Sequence, residues 1–174
     1  MKIMTKEINF KITIEETAER HPVPVLGTDY KVKIIYKNIK FAELDVEDKI
    51  IKISLPNKYK KANNEKILDM AIDKMYEQIA KVEVERAMEK TRILLGFAPE
   101  DYEIKKLKKE LGKCEDNKIT INPEIVKYNR NIIDYIVLHQ YCHLKYKTHS
   151  KGFYKLLEQY KPDYKKCEEI LLNI

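Results

Sequence analysis

Residues 130–149 read RNIIDYIVLHQYCHLKYKTH, and the rest of the chain is interpreted from this stretch. Ile132, Ile133, Ile136, Val137, Leu138 and Leu144 lie almost all round a helical wheel. The segment from about Arg130 to Tyr146 is therefore expected to be a helix buried in the centre of the domain. His139 and His143 are four residues apart, so both imidazoles fall on one face, on successive turns. They continue the stripe of Ile132 and Ile136, and a face that should be core ends in two ring nitrogens. Buried imidazoles need partners, and one metal ion satisfies both. His149 follows six residues later, past the expected helix end, where a chain reversal brings it back as a third ligand. Three protein ligands leave the fourth position of a tetrahedral zinc open, as in catalytic sites. The expectation is one divalent metal ion per chain, zinc, on His139, His143 and His149.

Beside the first histidine stands Gln140. In the hydrolytic motif HExxH that position is a glutamate, which takes a proton from metal-bound water and passes it to the leaving group. Here the string is HQYCH. Gln140 has nearly the same size and still hydrogen-bonds, but its amide has no useful basicity. Cys142, inside the motif, faces the other side of the helix with Leu138 and reads as a small buried hydrophobe. Cys114 is assigned to packing. Tyr154, one turn into the following helix, is a candidate hydrogen-bond donor to a developing oxyanion, one among twelve tyrosines. His21 has no motif around it.

Upstream, residues 1–57 read as strands. Ile8–Phe10–Ile12–Ile14 and Val32–Ile34–Tyr36 alternate with polar residues. Glu43–Val46, a Glu47–Asp48 turn and Ile50–Ile53 predict a hairpin ending at Pro56, while HPVPVLG, residues 21–27, reads as a loop. From Asn63 or Asn64, a plausible N-cap, a helical period carries Ile67, Leu68, Ala71, Ile72, Met75, Ile79 and Val82 toward Leu95. Gly96 stops it. Packing of this helix against the sheet is the expected arrangement. Tyr102–Leu107 and Lys118–Asn122 read as short strands with LGKCEDN as the turn between them. Helices follow near Ser150–Tyr160 and Asp163–Leu172. The expected fold is α+β, with a β-rich N-terminal region, 1–57, and a metal-binding domain, 58–174.

Composition narrows the function. Charged residues make up 36% of the 174, and 34 basic against 28 acidic side chains give a net +6. The lysine runs at Lys58, Lys60, Lys61 and at Lys105, Lys106, Lys108, Lys109 read as solvated faces, and support for a nucleic-acid groove is weak. Three scattered cysteines without a CxxC suit reduced thiols, and the N-terminus lacks a signal-peptide apolar region. A cytoplasmic protein with no membrane span is expected.

Residues 111–165 resemble the YgjP-like family of predicted zinc metallopeptidases, related to the SprT-like and WLM zincins. The shared features are Gly112–Lys113–Cys114, Ile121–Asn122 at a strand end, His139–Leu144, His149–Ser150 with Phe153–Tyr154, and Pro162–Asp163–Tyr164. The likeness is looser over 30–56 and is not visible over 1–29. The resemblance implies a zincin-like fold whose edge strand, here Lys118–Asn122, lies above the metal helix and pairs with an extended peptide. Two departures stand out. The family's Arg-Trp-Gly is Glu110–Leu111–Gly112, and its HELCH glutamate is Gln140. The implied activity is a zinc-dependent metallopeptidase, inactive or attenuated in this form. Two alternatives remain: a metal-dependent nucleoside-triphosphate (UTP) pyrophosphatase, an activity also assigned in the family, and a non-catalytic metal-binding scaffold. The partner is correspondingly a peptide or a nucleotide.

Overall fold

The alternation around Val32 and Ile34 forms strand β2 (Thr28–Lys37) in the computed structural model, which describes residues 22–61 and 65–172. It pairs in parallel with β4 (Ile50–Pro56), and β4 pairs antiparallel with β3 (Glu43–Glu47). The predicted hairpin is present, with its turn one residue further on. Asp48 and Lys49 carry the positive φ angles, 48° and 61°, of a tight turn that matches the strand twist. Ile34, Ile51, Ile53 and Leu55 are buried on this sheet.

The stretch 21–27 is not simply a loop. Val23–Val25 forms β1, which pairs antiparallel with β2 across Leu26 and Gly27, completing the order β1–β2–β4–β3. Pro24 is tolerated there because β1 is an edge strand, where a missing N–H breaks no central ladder. The hairpin tip is tied down. The Leu26 and Gly27 amides donate to the Val126 and Lys127 carbonyls at 2.6 and 3.1 Å. The expected strand at Ile8–Ile14, His21, and the N-cap at Asn63 or Asn64 lie outside the described residues.

Helix α1 (Glu65–Leu95) ends as expected at Gly96, whose φ of +73° suits a glycine. Its buried stripe runs through Leu68, Met75, Tyr76, Ala80, Val84, Ala87 and Met88. That stripe packs chiefly on α2 (Arg130–Lys145) and on the short 3₁₀ turn Pro123–Lys127, and only lightly on the strand Asp101–Ile104, whereas the sheet was expected as its main partner. Charge reinforces the contact. Glu83, on the buried face of α1, accepts from Arg130 at 2.7 Å and from Arg86 at 2.9 Å, and Arg86 and Lys90 donate to Asp134. The Arg130 hydrogen bond leads in holding the Glu83 carboxyl below its usual range. Tyr141 and Tyr76 add hydroxyl hydrogen bonds to the Met88 and Pro24 carbonyls.

A second sheet contains β5 (Asp101–Ile104), β6 (Gly112–Glu115) and β7 (Lys118–Ile121) in the order β5–β7–β6. Two expectations change here. Gly112–Glu115, read as part of a turn, is a strand, and only Asp116 and Asn117, at φ 46° and 60°, make the turn. Lys118–Ile121, expected at the edge, is therefore central. The edge facing α2 is β6. Helices α3 (Lys151–Tyr160) and α4 (Tyr164–Leu172) close the α+β fold against α2.

Candidate metal centre

Helix α2 supplies the site because its remaining surface is core. Ile132, Ile133, Ile136, Val137, Leu138 and Tyr141 are buried, and the Asn129 side chain caps the first turn by accepting from the Ile132 amide at 3.1 Å. Along one face His139 and His143 present their rings with centroids 5.0 Å apart. The helix ends at Lys145, and Ser150 then caps α3 by accepting from the Phe153 amide. That second cap fixes the reversal and returns His149 to the pair. The Nε2 atoms of His143 and His149 lie 3.2 and 3.1 Å from Nε2 of His139. One ring nitrogen from each of the three residues lies within 4.8 Å of the other two. Nitrogens held at 2.0–2.1 Å by one tetrahedral zinc stand about 3.3–3.4 Å apart, so the cluster has the size of a three-histidine metal site. Phe153, fully buried, packs 4.7–4.9 Å from all three rings.

The other ring nitrogens have partners that orient the rings. His143 Nδ1 lies 3.0 Å from the Tyr146 carbonyl, which can only accept, so Nδ1 carries the proton and Nε2 keeps its lone pair. Tyr146 is held close by Gly152, where a Cβ would meet the Tyr146 ring at 2.6 Å. His139 Nδ1 lies 3.2 Å from the Tyr135 hydroxyl, which also contacts Glu168. Burial, then the neighbouring His143 and His149, push the His139 imidazole down to about 3. Burial also lowers His143, against the opposing pull of the Tyr146 carbonyl. Neutral rings are what a metal requires.

This electrostatics has a consequence for the metal-free protein. Above pH 6.5 His139 is neutral in both folded and unfolded chains and contributes no pH dependence. Below that the unfolded chain takes up a proton that the folded one refuses. Stability should fall as pH drops from about 6.5 toward 3. Urea titrations of chelator-treated protein check this, with His139→Gln expected to show a shallower acid dependence. Parallel pH profiles for the two proteins would contradict it.

Gln140 is buried, and its side chain lies against Gly112 of β6. A Cβ on that glycine would sit 3.0 Å from Gln140 Cγ and Nε2. Gln140, His139, Leu111, Gly112 and Leu171 border a shallow pocket of about 210 Å³. The amide thus lies between the histidine cluster and the strand edge. Within β6 the edge is open among the described strands. The Asn122 amide donates to the Leu111 carbonyl directly opposite, so Lys113 and Glu115 turn their backbone groups to β7. Gly112 and Cys114 turn theirs outward.

Cys142 is fully buried, with its thiol pushed up to about 12 by burial, and takes no part. Cys114 packs against the core, and burial raises its thiol as well. Tyr154 stands beside His149 at a ring distance of 5.9 Å. The lysine runs are exposed, as expected. Sequence reading missed Tyr135 and Glu168. Tyr135 is one helical turn before His139, a signal lost among many tyrosines, and Glu168 belongs to a different helix.

No helix among the described residues is long and apolar enough to cross a membrane. No curated protein matches the chain. Two solved structures resemble part of it, both metallopeptidase zymogens: abylysin of Pyrococcus abyssi and jannalysin of Methanocaldococcus jannaschii. They are 26% and 21% identical, each with a TM-score of 0.47. The likeness covers 52% of this chain and 92% and 88% of theirs. A family profile reaches much further than the resemblance read over 111–165, matching residues 3–173 and so taking in most of the N-terminal region where no likeness was visible. On that match, the chain belongs to the YgjP-like, metallopeptidase domain family.

Proposed function

We propose that this chain is a zinc-dependent, metallopeptidase-like hydrolase with His139, His143 and His149 as the metal ligands, inactive or attenuated because Gln140 occupies the general-base position. On this reading residues 58–174 form the metal-binding domain and 1–57 a β-rich region. The observation that carries it is the convergence of three Nε2 atoms, at zinc-site spacing, beside an open strand edge. When bound, zinc would supply Lewis acidity and lower the pKa of its water to about 7. The protein's own groups do the remainder. Gly112 and Cys114 offer backbone hydrogen bonds to an extended peptide laid along β6. Gln140 orients a water through its amide but holds no proton it can pass on. Its attenuated chemistry is useful for a binding test, since the peptide survives the measurement.

Backbone exchange by NMR, with zinc-loaded protein and a casein-derived peptide, should show slowed exchange at the Gly112 and Cys114 amides. UTP should leave both unchanged. Protection by UTP and not by the peptide would move the assignment to nucleotide chemistry, and protection by neither would favour the non-catalytic scaffold.

A further inference from the structure

We infer that Tyr135 and Glu168 are positioning residues that set the tautomer of His139, so that the C-terminal helix α4 controls how well the site holds a metal. The inference rests on the zinc-site reading above.

Tyr135 is buried, and its hydroxyl has two neighbours. One is His139 Nδ1 at 3.2 Å; the other is a Glu168 oxygen at 3.2 Å. A phenol has one proton to give, and a carboxylate can only accept. Both contacts are therefore satisfied in one arrangement: Tyr135 donates to Glu168 and accepts from His139 Nδ1–H. That arrangement leaves the lone pair of His139 on Nε2, the atom 3.1–3.2 Å from the other two imidazoles. Reversing it would put a proton on Nε2, aimed into the cluster where a metal must sit. Ligand imidazoles generally need such a partner on their far nitrogen. His143 takes its partner from the backbone, at Tyr146. His139 takes its partner from side chains, and that chain ends on α4, 33 residues from Tyr135 in sequence.

Removing Glu168 leaves the Tyr135 proton free to turn toward His139 Nδ1, which drives the ring into the wrong tautomer. Removing the Tyr135 hydroxyl leaves Nδ1–H without a partner and makes Glu168 irrelevant to the ring.

The test uses the full chain and zinc alone, with affinities from competition against a chromophoric chelator. Tyr135→Phe and Glu168→Ala should each weaken zinc binding by about 10–100-fold. The double variant should be no weaker than Tyr135→Phe. Nitrogen-15 shifts of the metal-free proteins give an independent readout: His139 should carry its proton on Nδ1 in the wild type and shift toward Nε2 in Glu168→Ala. If Tyr135→Phe misfolds, Glu168→Ala and its tautomer still decide the matter. Variants that bind zinc as the wild type does, additive losses in the double variant, or an Nε2–H tautomer in the wild type would each overturn the inference. A folded wild type that binds no zinc would remove the zinc-site reading itself.

Discussion

Gln140→Glu should raise peptide hydrolysis by about 10²–10⁴-fold at unchanged metal content, the usual contribution of a positioned general base. The substitution replaces one terminal atom with another of similar size. The side chain already lies between the histidine cluster and β6, packed on Gly112, so the new carboxylate inherits a defined place. Gln140 forms no side-chain hydrogen bond among the described residues, so no structural partner is lost in the exchange. Both proteins should be assayed on casein-type peptides and on UTP at matched zinc occupancy. Equal rates on every substrate, with metal bound in both, would show that this helix does not host a general base.

How much of this was legible depends on the range of the interaction. The histidine spacing on α2 and the Gly96 stop are local, and period and chemistry alone locate them. Gly112–Glu115 was not legible as a strand. Four residues opening on glycine look like a turn, and only the left-handed pair Asp116–Asn117 shows where the chain reverses. That misreading exchanged the edge strand for the central one. β1 was hidden by Pro24, which sequence cannot place at a sheet edge in advance. The packing of α1 on α2 depends on Glu83, a charge that lies on the buried stripe because Arg86 and Arg130 reach it. Tyr135 and Glu168 meet only in the folded chain.

The largest loss is expected when a ligand itself is removed. His143 is held by the Tyr146 carbonyl and faces His139 across 3.2 Å. His143→Ala leaves two imidazoles, of which His149 sits on an exposed turn. Zinc affinity should fall by more than the about 10–100-fold expected for losing a ligand's outer hydrogen-bond partner. The fold should survive, because the ring is half-exposed and the α2 core does not depend on it. Elemental analysis of protein purified without a histidine tag and dialysed against metal-free buffer tests this most directly. The wild type should retain about one zinc per chain and His143→Ala almost none. Full occupancy in His143→Ala, or none in a folded wild type, would contradict the account.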